Sequence, residues 1–184
     1  MSTRVSITAD EFLELEDEGH FELVRGELIE MNRPNMEHGL ICKNVIYLLE
    51  NWVRRSGAGG FVFANDAGVI TERNPDTVRG PDCFFVRTGR VPKGDSLKQW
   101  LDVAPDLAVE VLSPSDRWTT VLDKVSEFLS FGVPEVWVVV PDERSVHVFR
   151  GEQSPVILAA DAKLTSETVL PGFECKVAEL FTGL

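Results

Sequence analysis

Apolar residues recur at helical spacing in two stretches of the chain and gather in short runs of strand length elsewhere. Between Glu37 and Arg55, the residues Ile41, Val45, Leu48, Leu49 and Trp52 share one helical face, and Gly57 is placed to end that helix. A second helix is predicted over Arg117–Phe131, with Trp118, Val121, Leu122, Val125, Phe128 and Leu129 on its apolar side and Gly132 after it. It lies between two buried-type strands, Leu107–Leu112 and Val136–Val140. Strand, helix and strand in that order imply a parallel crossover of right hand.

The remaining runs are shorter. Phe21–Val24 and Leu28–Met31 flank Arg25-Gly26 and read as a hairpin. Strands are predicted at Phe61–Ala64, Gly68–Thr71 and Asp82–Val86, with turns at Asn65-Asp66 and Asn74-Pro75-Asp76. Ser145–Phe149 and Pro155–Leu158 predict antiparallel strands. They are followed by a short strand near Val169, the breaker Pro171-Gly172 and a helical turn near Val177–Phe181. Thr8-Ala9-Asp10-Glu11 has the form of a capping box, so a short helix should start there and end before Gly19. Residues 88–100 read as an exposed loop. The pattern predicts one α/β domain over residues 1–184: a mixed sheet flanked by two main helices, with an added N-terminal hairpin and C-terminal antiparallel strands.

Composition agrees with a folded domain: 43% of the residues are hydrophobic and 26% charged, and a chain of 184 residues can bury a core without staples. The formal charge of −12 argues against tight nonspecific binding to nucleic acid. Its distribution is uneven. Residues 1–30 carry −7, residues 31–100 carry +3 and residues 101–184 carry −8. The three cysteines, Cys42, Cys83 and Cys175, form no C-x-x-C and are expected to be free thiols in a reducing compartment. The first twelve residues lack an apolar signal core, and no apolar run approaches the ~20 residues that span a bilayer. The expectation is a cytoplasmic protein without a membrane partner.

Glu110 is the residue that the apolar pattern does not explain. It interrupts a buried-type strand, and a buried carboxylate is costly unless paired, hydrogen-bonded or bound to a cation. Alternation puts Ala108, Glu110 and Leu112 on one face of that strand. Asp82 follows Pro81 at the start of another strand. Pro-Asp is a common turn dipeptide, but next to Glu110 it would complete a two-carboxylate site for a hard cation such as Mg²⁺. Lys124 flanks the apolar stripe of the second helix, where its ammonium either leans over the sheet or snorkels to water. Glu22 lies in the first strand, and His38 falls on the apolar side near the start of the long helix, where an interior or capping histidine is the commoner occupant. No P-loop, dinucleotide-binding glycine motif or nucleophile elbow is present. Ser113 and Ser115 read as turn and N-cap residues. Trp100, Trp118 and Trp137 read as core or interface residues.

Taken together, Arg79-Gly80-Pro81-Asp82, Val109-Glu110-Val111-Leu112-Ser113-Pro114-Ser115, Lys124 and Gly132-Val133-Pro134-Glu135-Val136-Trp137 resemble the Uma-type endonuclease family, within the restriction-endonuclease-like PD-(D/E)XK superfamily. Phe21–Leu28, Glu37-His38-Gly39 and Leu170–Phe173 extend the resemblance nearly from end to end. It implies a mixed sheet flanked by helices. It further implies Asp82, Glu110 and the Val111 carbonyl as ligands of Mg²⁺ or Mn²⁺, Lys124 as the lysine that the superfamily places two residues after the acid (here Leu112), and Glu22 and His38 as accessory residues. The chain departs from the family pattern at Thr120, Phe128 and Arg25.

The activity implied is metal-dependent hydrolysis of DNA phosphodiester bonds, with a homodimer as one way to cut both strands. A silent binding or regulatory domain on the same fold, and a metal-dependent hydrolase of another phosphoester, are the alternatives.

Overall fold

The computed structural model of the protein describes residues 6–15 and 19–184. The described residues form three helices and twelve strands, in chain order α1 (Ala9–Leu13), β1 (Phe21–Val24), β2 (Glu27–Glu30), α2 (Met36–Ser56), β3 (Phe61–Ala64), β4 (Val69–Glu72), β5 (Thr77–Arg79), β6 (Cys83–Val86), β7 (Leu107–Val111), α3 (Trp118–Phe131), β8 (Val136–Val140), β9 (Ser145–Phe149), β10 (Val156–Leu158), β11 (Lys163–Ser166) and β12 (Leu170–Lys176). Two 3-10 helices cover Gly94–Lys98 and Val177–Phe181. The fold is mixed α/β. No helix among the described residues is long and apolar enough to cross a membrane.

The central sheet has the order β10-β9-β8-β7-β6-β3. Its pairs are antiparallel except β7–β8, the parallel pair that α3 connects. Alternation along β7 divides the core. Leu107, Val109 and Val111 face α2, where they pack with Ile41, Val45, Leu49 and Trp52. Ala108 faces α3 and packs with Val125 and Phe128. Fully burying one such side chain contributes about 1.5–3 kcal/mol, so the two apolar stripes hold both helices against the sheet. Left-handed Gly57 (φ 66°) and Gly132 (φ 105°) end the two helices as the pattern predicts.

Several elements depart from the sequence-based expectation. The N-terminal hairpin is present as expected, and what the pattern did not specify is its neighbour: it pairs through Leu23↔Val78 with β5 and forms a separate sheet of order β2-β1-β5-β4 around Ala9, Leu23, Ile70 and Val78. Strand β5 has only three residues, too short for its alternation to show in the sequence. Strand β12 runs through Pro171-Gly172, paired with β11 across a register shift. Helix α1 ends at Leu13, and its capping box at Thr8 and Glu11 is formed; residues 16–18 of the expected longer helix lie outside those described. The segment expected as a loop contains the 3-10 turn Gly94–Lys98. Trp100 beyond it donates from Nε1 to the Ala9 carbonyl at 2.9 Å and stacks on Phe12. Arg117, not Ser115, occupies the N-cap of α3, and no side chain caps that terminus. Trp137 is a core residue.

A candidate two-carboxylate cation site

The register of β6 against β7 pairs Cys83 with Val109 and Phe84 with Ala108. One step further along this register sets Asp82, just before β6, against Glu110, which alternation along β7 turns to the same α3 face as Ala108. Asp82 is anchored there because its Oδ2 accepts the Val111 N–H at 2.6 Å. A strand residue's N–H and C=O point to the same side, so the Val111 carbonyl faces the Asp82 side as well.

Lys124 reaches this place from α3. Its Nζ lies 3.0 Å from Glu110 Oε2 and 2.9 Å from Glu22 Oε1, and it donates to the Gly80 carbonyl at 3.1 Å. The lysine therefore leans over the sheet instead of snorkelling outward. Below its ammonium lies Phe128, whose ring centroid is 6.0 Å from Nζ. Glu22 accepts the Gly80 N–H at 3.0 Å and is paired with Arg79 at 2.9 Å. Gly80 is required at this point: a Cβ there would lie 2.8 Å from the Asp66 carbonyl oxygen.

His38 enters from the first turn of α2, whose N-cap Asn35 accepts the His38 N–H at 2.8 Å. Its Nε2 is 3.1 Å from Asp82 Oδ1, and its Nδ1 is 3.4 Å from Cys42 Sγ. The structure thus brings Glu22, His38, Asp82, Glu110, Val111 and Lys124 to one cavity of about 770 Å³. Asp66, Lys43, Arg117 and Thr120 also line it.

Burial controls the charge states here. Burial pushes the Glu110 carboxyl up to about 8; Lys124 pulls it back only in part, and the negative charges of Asp82 and Glu22 raise it further. Glu22 is also buried, but Lys124 and Arg79 outweigh that burial and hold it below the ordinary carboxylate value. Burial lowers the basicity of the Lys124 ammonium, but Glu110 and Glu22 outweigh it and stabilise the protonated form. For His38, burial opposes protonation, and the Asp82 hydrogen bond and charge overcome it. Asp66 is pushed up by burial and by Asp82. Burial and the same carboxylates hold Cys42 as a neutral thiol.

One atom in this network has nothing to bind. Glu110 Oε1 is buried and has no hydrogen-bond partner. A buried carboxylate oxygen left alone is costly, and a cation held between Glu110 and Asp82 would satisfy it. The donor set also suits such an ion, since hard divalent cations take carboxylate and carbonyl oxygens.

Sequence reasoning did not assign the outer half of the network. Glu127, one turn beyond Lys124 on α3, holds Arg79 through Nε at 3.0 Å and Nη2 at 2.7 Å, and accepts the Thr71 hydroxyl. Arg79 then braces Glu22. The i, i+3 spacing of Lys124 and Glu127 was the available signal, but the partners of Glu127, Thr71 and Arg79, come from the second sheet.

A mixed sheet with acids on adjacent strands, a lysine above them and helices on both faces is a nuclease-like α/β architecture. The sequence agrees: residues 9–178 match the Uma2 family, described as "Putative restriction endonuclease", and the chain belongs to that family. Among solved structures, it is similar to one described as a "putative nuclease belonging to DUF820" from Anabaena variabilis. The identity is 25% and the TM-score 0.80, over 96% of this chain and 98% of that one. No curated protein matches the sequence.

Proposed function

We propose that the protein is a divalent-metal-dependent endonuclease that hydrolyses DNA phosphodiester bonds. The observation that carries this reading is the unpartnered, buried Oε1 of Glu110, a residue that lines one cavity together with Asp82. Family membership and the similar nuclease-like structure support it.

Asp82, Glu110 and the Val111 carbonyl would hold Mg²⁺ or Mn²⁺. When bound, such an ion lowers the pKa of water and offsets charge building on a phosphate. The chain's own groups supply the rest. The Val111 N–H fixes one oxygen of Asp82, and His38 fixes the other. Lys124 stays protonated between Glu110 and Glu22, so its ammonium can donate a hydrogen bond to the attacking water or to a nonbridging phosphate oxygen. Arg79 and the Gly80 N–H hold Glu22, which keeps Lys124 in place. Lys43 and Arg117 add positive charge along the cavity for a phosphate backbone.

Cleavage of supercoiled, linear and single-stranded DNA with Mg²⁺ or Mn²⁺ tests the proposal. The wild type should cut, with loss of cutting in chelator and in Asp82→Ala and Lys124→Ala. Activity unchanged in both variants would overturn the assignment. Mn²⁺ binding without any DNA cleavage would favour another phosphoester as substrate.

A further inference from the structure

Asp82 faces two sets of donors. On one side lie the Glu110 carboxylate and the Val111 carbonyl, both oxygen ligands. On the other lie His38 and Cys42, one turn apart on α2. With each of His38, Cys42 and Asp82 giving a single donor atom, the three donors lie within 4.8 Å of one another. Such a trio contains a nitrogen and a sulfur, and hard Mg²⁺ selects neither.

The spacing on α2 suits a softer ion. A tetrahedral zinc with Zn–S near 2.3 Å and Zn–N near 2.0–2.1 Å sets its sulfur and nitrogen ligands about 3.6 Å apart. His38 Nδ1 and Cys42 Sγ stand 3.4 Å apart; Asp82 bonds the opposite ring nitrogen, Nε2, at 3.1 Å, and joins an ion held at Nδ1 only by leaving that bond. The helix holds this spacing rigidly, because residues i and i+4 share a face. Cys42 is half-buried and lines the cavity, whereas Cys83 and Cys175 are buried in the core. Among the described residues, this is the one group of three histidine, cysteine or acidic side chains close enough to hold an ion.

The geometry points to a second cation subsite, formed by His38, Cys42 and Asp82, that takes Zn²⁺ or another thiophilic divalent ion. The Cys42 S–H bond breaks as the sulfur–metal bond forms, and the proton leaves to solvent. A fourth position is open to water from the cavity. Because Asp82 belongs to both donor sets, occupation of this subsite draws Asp82 away from the oxygen-ligand site. That consequence rests on the reading of Asp82 as a ligand of the hard cation.

Cd²⁺ titration of the reduced, metal-free protein, followed by the ultraviolet charge-transfer band of a cadmium–thiolate bond, tests the subsite directly. The wild type should develop the band with one equivalent of Cd²⁺. Cys42→Ala and Cys42→Ser should both lose it, and Mg²⁺ should not produce it. Asp82→Asn should weaken Cd²⁺ binding by at least about tenfold. Two variants at Cys42 are used so that a folding defect in one leaves the other to decide. No band in the wild type, or a band that survives in either Cys42 variant, overturns the inference. So does Cd²⁺ affinity unchanged in Asp82→Asn. These readouts need no DNA cleavage. A band in a protein that cuts no DNA supports the subsite and counts against the nuclease reading alone.

Discussion

Replacing Lys124 with methionine removes the one cation that Glu110 touches while keeping a side chain of similar length. Lys124, Glu110 and Glu22 are 11%, 13% and 6% exposed, so this is close to a fully buried network. Deleting one partner of a buried ion pair costs about 3–5 kcal/mol when the other charge is left without compensation; for Glu110, whose carboxyl burial pushes up to about 8, that condition holds only at pH above that value. Glu22 keeps Arg79 and the Gly80 N–H, which places the expected loss near the lower end, at about 3 kcal/mol. For a chain of 184 residues, each kcal/mol moves the melting temperature by about 2–4 °C. At about pH 9, where Glu110 is ionised in the wild type, Lys124→Met should therefore melt about 6–12 °C below it in chelator, followed by circular dichroism, and the gap should narrow at pH 7. Adding Glu110→Gln removes the stranded charge. The double variant should be more stable than the sum of the two single losses predicts, by about 1 kcal/mol or more. A melting point for Lys124→Met within about 2 °C of the wild type, or simple additivity in the double variant, would refute the buried-network reasoning.

Other measurements probe the surrounding frame. Gly80→Ala sets a methyl 2.8 Å from the Asp66 carbonyl oxygen, a main-chain atom that cannot swing aside. It should cost about 1–3 kcal/mol in urea unfolding and weaken Mn²⁺ binding in calorimetry; an unperturbed variant would show that the approach of β5 to Asp66 is not tight. Asp76 accepts the Ala9 N–H at 2.8 Å and the Asn74 N–H at 3.2 Å and pairs with Arg73 at 3.0 Å; these interactions overcome its burial and hold the carboxyl below its ordinary value. A carboxylate with a depressed native pKa contributes stability above its unfolded pKa and loses it as pH falls through the native one. Asp76→Asn should thus cost about 1–3 kcal/mol at pH 7, and the gap from the wild type should close as pH falls below about 4. A gap that stays constant across that range would remove ionised Asp76 as the tie between α1 and β5.

The chain's own pattern determined much of this protein. Apolar periodicity over Glu37–Arg55 and Arg117–Phe131 specifies both main helices, because a face recurring every 3.6 residues shows in any long window. The Leu107–Leu112 run exposed Glu110 as an anomaly, since a polar residue in a buried strand has no local explanation. Tertiary structure decided what local pattern does not encode. Strand β5, with three residues, became visible only through its pairing with β1 and β4. Strand β12 passes Pro171 and Gly172 because β11 and the core hold it in place. The convergence of Glu22, Asp82, Glu110 and Lys124 depends on four elements from two sheets and a helix. Arg79, Glu127 and Cys42 entered the network the same way. Their spacing along the chain carries little meaning alone, because Coulomb and hydrogen-bond energies depend on distances in space, and only the packed sheets and helices set those distances.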